Sequence, residues 1–281
     1  MRIGIVAPSC RIDDAIHDRV TALAARDHAG VELVWHPQCW LSHGHFAGPD
    51  AARAAALIEV ANDPAIDAVW FARGGYGAVR IVDRVMDALG PAARDKSYLG
   101  YSDGGTLLGA LYAAGIGRVA HGPMPADIRR DGGETAVGRA LDWLGGGTAG
   151  VEPTDDGHPR AAFNICILAH LAGTRHLPDL AGHVLMIEEV GEYLYRTDRD
   201  LAQIAASLPG LAGIRLGRLS DVPENDPDFG MDGPTLVRDW CARSGIPFLG
   251  LADIGHDAAN RIVPFGPFTA TPQFAALAPT G

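Results

Sequence analysis

The sequence predicts an α/β protein, with a parallel sheet covered by helices on both faces followed by a smaller unit of mixed pattern. Three observations predict this. Short apolar runs alternate with segments of helical spacing through the first half of the chain. Those runs are continuous, as strands buried on both faces are, and do not alternate with polar residues. The pattern then breaks at Gly145-Gly146-Gly147, and a polar segment with Pro and Gly, Glu152 to Arg160, follows it.

The elements follow in order. Ile3 to Ala7 reads as the first buried strand, and Ile16 to Ala25 as a helix. Val31 to Trp35 is a second strand, and Pro49 to Ala61 an Ala-rich helix that stops at Asn62-Asp63-Pro64, where proline cannot continue it. Ala68 to Ala72 is a third strand. Val79, Val82, Val85, Met86 and Leu89 then recur at helical spacing and predict an amphipathic helix. Tyr98 to Tyr101 is a short strand, Thr106 to Ala114 a helix, Val119 opens a further strand, and Ala136 to Leu144 is helical. The second half predicts helices at Ile165 to Leu171 and Asp198 to Leu208. It also predicts a strand at Val184 to Ile187 and shorter strands near Ile214, Phe248 and Ile262. Residues 1–147 are expected to form one domain and 148–281 another.

Composition narrows the function. With 281 residues, 47% hydrophobic and 20% charged, the chain can build its core without staples. A formal net charge of -11 argues against a nucleic-acid partner, because phosphate binding needs a basic surface. No stretch approaches the roughly 18 apolar residues of a membrane span, and the N-terminal run is too short for a signal peptide. Cys10, Cys39, Cys166 and Cys241 are scattered without paired spacing, which fits unpaired thiols and a cytoplasmic location.

The sharpest motif is Gly100-Tyr101-Ser102-Asp103-Gly104, a G-x-S-x-G between an apolar strand and a helix. A tight turn there lifts the Ser102 hydroxyl clear of the sheet and aims the Asp103 N–H where an oxyanion would form. The motif alone leaves two roles open for Ser102, nucleophile or helix cap. Ala72-Arg73-Gly74-Gly75-Tyr76-Gly77 closes the preceding strand. It lacks the third glycine of a dinucleotide loop and any following Gly-Lys-Ser/Thr, so a backbone oxyanion donor fits better than a phosphate cradle. A structural turn remains the plain alternative. Both loops would lie at the carboxyl edge of a parallel sheet, where ligands bind.

A serine nucleophile needs a base and an orienting carboxylate. His256, in the Gly255-His256-Asp257 loop, is placed for the first role, and His121, opening His-Gly-Pro at a strand end, for lining the site. Glu188 and Glu189 follow the strand Val184–Ile187 directly, with Glu192 beyond. Strand alternation sends the first two to opposite faces without saying which one meets the base. His36, His43 and His45 lack a carboxylate at conventional ligand spacing, so no metal is expected. The acidic run Asp221 to Asp232 lacks the spacing and terminal Glu of a calcium loop.

Taken together these motifs resemble the LD-carboxypeptidases, a family that includes the microcin C resistance peptidases. The resemblance spans Ile5-Val6-Ala7-Pro8-Ser9, Asn62-Asp63-Pro64, the Arg73 to Gly77 loop, Gly100-Tyr101-Ser102-Asp103 and His121-Gly122-Pro123. It continues through Asn164 with Ala172-Gly173-Thr174, Glu188-Glu189-Val190-Gly191-Glu192 and Gly255-His256. It implies a flavodoxin-like N-terminal domain with a smaller β-rich α+β C-terminal domain, usually as a homodimer. It also implies a Ser102–Glu188–His256 triad and an oxyanion hole from the backbone of Gly74, Gly75 and Asp103. Tyr76, His121 and Asn164 would line the substrate site. The implied substrate is a small cytoplasmic murein peptide, cut between the L-centre of a dibasic residue and a terminal D-Ala in peptidoglycan recycling, with no cofactor. The alternative is a microcin-type amide hydrolase acting on peptidyl- or aminoacyl-nucleotides. A lipase-like esterase and a non-catalytic binding module are the remaining rivals. Gly104-Gly105 and Ala162-Phe163 depart from the family pattern and leave substrate preference open.

Overall fold

The computed structural model describes residues 1–153 and 157–267. In chain order the elements of the first half are β1 (Arg2–Val6), α1 (Asp14–Asp27), β2 (Glu32–Trp35), α2 (Asp50–Asn62), β3 (Ala68–Phe71) and α3 (Val82–Met86). They continue with β4 (Ser97–Gly100), α4 (Gly105–Ala113), β5 (Arg118–His121) and α5 (Gly133–Leu144). The second half runs β6 (Arg160–Asn164), α6 (Ile165–Leu171), β7 (Val184–Val190), α7 (Leu194–Ser207), β8 (Gly213–Ser220), α8 (Gly233–Ser244), β9 (Phe248–Leu251) and β10 (Val263–Pro264).

Strands β1 to β5 pair in parallel in the order β2-β1-β3-β4-β5, the doubly wound order of flavodoxin-like sheets. Alternation along each strand divides the core in two. Ile3 and Ile5 of β1 and Trp70 of β3 pack with Ile16, Val20 and Leu23 of α1 and Val137 and Leu141 of α5. Val6, Val69 and Phe71 pack on the other face with Leu57 and Val60 of α2, Val85 of α3 and Leu107 and Leu111 of α4. Central strands such as β3 therefore need apolar residues on both faces, which is why their runs are continuous.

The smaller unit is a second sheet, β6-β7-β8-β9, again parallel throughout. Its parallel pairing was not specified by the mixed sequence pattern. Leu185 and Ile187 of β7 face α6, α7 and α8, packing with Leu168, Leu201, Ile204 and Val237. Met186 faces the opposite way, with Ala162, Ile254 and Val263. The chain then returns, for β10 pairs antiparallel with β5 at the edge of the first sheet, and Val151 bridges to Ile262. The chain thus passes from the first sheet to the second and back to the edge of the first.

One local expectation is corrected. The Val79–Leu89 segment is not one amphipathic helix. A 3₁₀ turn at Ala78–Arg80 precedes a five-residue α3, and Val79 is exposed. The backbone enters through Gly77 at φ 131° directly into the 3₁₀ turn, and Asp87 and Ala88 already form a turn beyond α3. Glu152 and Arg160 are both buried, Arg160 Nη1 donates to the Glu152 carbonyl at 2.7 Å, and Arg215 Nη2 reaches the Glu152 carboxylate at 3.0 Å. Arg215 thus offsets the buried charge of Glu152, while Arg160 meets a backbone carbonyl. Among the described residues no helix is long and apolar enough to cross a membrane.

Candidate active site

The end of β4 runs straight into the turn that carries Ser102. Ser102 sits at φ 56°, in the left-handed region that costs an L-residue about 1–2 kcal/mol. Ser102 has no side-chain capping role for the helix that follows, because the cap of the short 3₁₀ turn Ser102–Gly104 is Tyr101 and that of α4 is Gly104. Strain of this kind at a strand-to-helix turn holds a hydroxyl away from the backbone. Gly100 and Gly104 make the turn possible, since a Cβ on either would press into the Phe71 ring, at 2.6 and 2.9 Å.

The hydroxyl has a partner from the far end of the chain. Ser102 Oγ lies 3.0 Å from His256 Nε2, and His256 Nδ1 lies 2.7 Å from Glu188 Oε2. Nδ1–H donates to the carboxylate, which leaves Nε2 as the acceptor for the serine proton. Glu188 is fully buried, and it reaches His256 because it shares the Met186 face of β7, turned away from the helices. Burial lowers the affinity of the imidazole for a proton, but the charge of Glu188 and its hydrogen bond more than offset this, so the His256 pKa is raised.

Glu189, one residue on, faces the helices. Its carboxylate accepts from Asn164 Nδ2 at 2.6 Å, Cys166 N at 2.8 Å and Val190 N at 2.9 Å, so it secures the start of α6. Burial pushes its pKa up to about 7.

The glycine loop after β3 lies directly over the serine. A Cβ built on Gly74 would stand 2.9 Å from Ser102 Oγ, and one on Gly75, at φ 118°, would stand 2.3 Å from Cys10 Sγ. Among the described residues neither the Gly74 nor the Gly75 N–H donates to a protein acceptor. The Asp103 N–H belongs to the first turn of a helix, where backbone donors lack intrahelical partners. The Asp103 side chain ties the loops together, because Oδ2 accepts from Ala78 N at 2.9 Å and from the Ser9 hydroxyl. Burial raises its pKa.

Ser102, His256, Gly74 and Gly75 open onto a cavity of about 290 Å³, whose other walls include Tyr101, Met124, Asp127 and three arginines, Arg73, Arg129 and Arg130. Tyr101 backs the base, its ring 4.8 Å from that of His256 and its hydroxyl donating to Asp127 Oδ1 at 2.7 Å. Such a site can let a hydroxyl attack a carbonyl while an imidazole takes its proton, with backbone N–H groups at hand for the oxyanion.

The three residues expected to line the substrate site do not line this cavity. Tyr76 is half exposed and packs outward against Phe46 and His45. His121 is buried behind Tyr101, 5.4 Å from its ring, and donates to Asn260 Oδ1 at 3.2 Å; burial takes its pKa down to about 4 and keeps it neutral. Asn164 is buried as the N-cap of α6, bonded to Glu189 and to Ile167 N. A motif marks such positions without saying whether they face the ligand or the scaffold. Conversely, Asp127, Arg129 and Arg130 line the cavity without belonging to any of the motifs above. The available signal was an acid and two arginines just beyond β5, at the same carboxyl edge as the serine. Among the described residues no group of His, Cys, Asp and Glu stands ready to hold a metal ion, and the four cysteines are unpaired.

Fold and site together define a hydrolase built from two parallel α/β units. Comparison narrows the class. A model of the LD-carboxypeptidase N-terminal domain matches residues 3–122 and one of the LD-carboxypeptidase C-terminal domain matches residues 162–270, so the chain belongs to the LD-carboxypeptidase family. It is 34% identical to a putative carboxypeptidase of Streptomyces coelicolor, over 94% of this chain and 88% of that one. It is 28% identical to the murein tetrapeptide carboxypeptidase of Pseudomonas aeruginosa, over 94% and 91% of the two chains. The crystal structure of muramoyltetrapeptide carboxypeptidase from Oxalobacter formigenes superposes with a TM-score of 0.75 at 25% identity, covering 94% of this chain and 93% of that one. The microcin C7 self immunity protein in its wild-type apo state shares the fold, with a TM-score of 0.76 at 17% identity over 94% and 91% of the chains.

Proposed function

We propose that this protein is a serine LD-carboxypeptidase that removes the terminal D-amino acid from murein peptides in the cytoplasm, as a step of peptidoglycan recycling. The observation that carries the reading is the hydrogen-bonded chain Glu188–His256–Ser102, which opens onto a cavity in a member of a carboxypeptidase family. In this mechanism Ser102 Oγ attacks the carbonyl of the scissile amide and His256 Nε2 takes its proton. The Glu188 carboxylate steadies the imidazolium through Nδ1. The oxyanion is received by the N–H groups of the Gly74-Gly75 loop and of Asp103, each such donor typically being worth about 3 kcal/mol of barrier. His256 then returns its proton to the departing amine, and water hydrolyses the acyl-enzyme by the reverse sequence.

The murein substrate is drawn from relatives whose names specify it, and the L,D geometry from the family. The solved microcin proteins share the fold at too low an identity to favour their substrate for this chain. Incubation with a murein tetrapeptide ending in D-Ala should release D-Ala. The same peptide ending in L-Ala should survive, and Ser102→Ala should abolish release. Hydrolysis of an aminoacyl-nucleotide amide with no release of D-Ala would overturn the murein assignment.

A further inference from the structure

The cavity in front of Ser102 carries a charge opposite to that of the chain as a whole. The protein has a formal net charge of -11, yet Arg73, Arg129 and Arg130 face the cavity against a single acid, Asp127. Two of these arginines are engaged at its rim. Arg129 pairs with Asp13, and Arg73 Nη1 donates to the Arg11 carbonyl at 3.2 Å.

Arg130 is held in another way. Its Nε donates to Asp127 Oδ1 at 2.8 Å, and Asp127, only 6% exposed, is fixed from behind by the Tyr101 hydroxyl at 2.7 Å and by Met124 N at 2.8 Å. No second carboxylate pairs with Arg130 among the described residues. A guanidinium presents five N–H donors in a planar fork. Asp127 fixes that plane through Nε, and the Nη edge retains the geometry that matches a planar anion with two parallel bonds. The side chain is 38% exposed, so a ligand entering the cavity can reach it.

We propose that Arg130, preset by Asp127, binds the terminal carboxylate of the substrate and thereby confines cleavage to the last residue of the peptide. This rests on the carboxypeptidase reading given above. In such a substrate the carboxylate lies one residue beyond the scissile carbonyl, about 3.5 Å of chain at most. Its receptor must therefore stand in the wall of the same cavity as Ser102, as Arg130 does. Arg130 moves no proton in the reaction; it sets register and rejects chains that continue past the cleavage point. The buried side chains Tyr101 and Asp127 link this anchor to the base, since the Tyr101 ring also packs on His256.

The test compares two peptides that differ only at the C-terminus, a murein tetrapeptide with a free D-Ala carboxylate and its C-terminal amide, with kcat/KM measured for each. The wild type should prefer the acid by about 100-fold or more, as sites built to pair with a polar group reject analogues that lack it. Arg130→Gln should lose about 100-fold on the acid and little on the amide, so the preference collapses. Arg130→Lys, which keeps the charge without the fork, should fall between and serves if the Gln variant does not fold. Equal losses on acid and amide in both variants would assign Arg130 a structural role and overturn the proposal. So would a collapse of the preference in Arg73→Gln with Arg130→Gln unchanged, or a wild type that cuts both peptides equally. A folded wild type that cuts neither peptide would overturn the carboxypeptidase reading itself, and the anchor with it.

Discussion

Glu188 and His256 stand 68 positions apart in the chain and are joined by a 2.7 Å hydrogen bond. The carboxylate comes from a buried strand of the second sheet and the imidazole from the loop that leads the chain back to the first. Because β7 is covered by α6, α7 and α8 on its other face, Glu188 lies on the face turned away from those helices, with Met186. The pair sets the proton affinity of the base, and the first expectation follows from it.

Burial alone would depress the His256 pKa, but Glu188 opposes it by charge and hydrogen bond, and the result lies above the ordinary value of 6.5. Since catalysis needs His256 neutral, kcat/KM on the tetrapeptide should rise with pH along a limb centred above 6.5. Glu188→Gln should move that limb to lower pH and reduce the plateau by roughly 10²–10⁴-fold. Because the folded pKa is raised, the pair's contribution to stability is full below the unfolded value and is lost as pH rises through the folded one. A limb unmoved in Glu188→Gln would show that the carboxylate does not tune the base.

The backbone at Ser102 makes a separate statement about stability. At φ 56° any L-residue is strained and glycine is not. Ser102→Gly should therefore be more stable than Ser102→Ala by about 1 kcal/mol, with both inactive. Urea unfolding of the two variants measures the difference. Equal midpoints would mean that the turn carries no strain.

The glycine loop separates an activity effect from a folding effect. Gly74→Ala brings a methyl group to 2.9 Å from both Oγ and Cβ of Ser102, so kcat should fall by about 10²–10³-fold, with a smaller loss of melting temperature than Gly75→Ala. Gly75→Ala meets both φ 118° and Cys10 Sγ at 2.3 Å, and should cost about 2 kcal/mol or more of stability. Kinetics with parallel melting curves distinguish them. Comparable destabilisation by both substitutions would count against this assignment.

Glu189 should leave its mark on stability as a function of pH. Burial raises its pKa from 4.5 to about 7 in the folded protein. Between these values the folded state binds more protons than the unfolded one, so this group's contribution to stability declines as pH rises from 4.5 through 7. Glu189→Gln should flatten the fall of the urea midpoint across that interval. An unchanged slope would show that Glu189 titrates normally.

Much of the fold was legible because runs such as Ala68–Ala72 and Val184–Ile187 are short, continuously apolar and bounded by polar residues, as strands buried on both faces are. The helix ends were legible where the punctuation is chemical, as at Asn62-Asp63-Pro64. Val79 falls outside α3 because helical spacing records which residues are apolar and not that the segment opens as a 3₁₀ turn, Ala78–Arg80, before the helix. Asn164 and His121 carry motif signals, yet both serve the scaffold. One caps α6 beneath Glu189, and the other is bonded to Asn260 behind Tyr101.

By itself the sequence determined the flavodoxin-like alternation, the Ser102 elbow, the glycine loop and the pair of glutamates at the end of β7. Each of these is local, dictated by steric limits on φ and ψ and by the period of burial within one segment. Only the tertiary structure decided that Glu188, and not Glu189, meets His256, and that Arg130 shares a cavity with Ser102. Alternation sends neighbouring side chains to opposite faces, but which face meets the first sheet is settled by α6, α7 and α8 packing on the other.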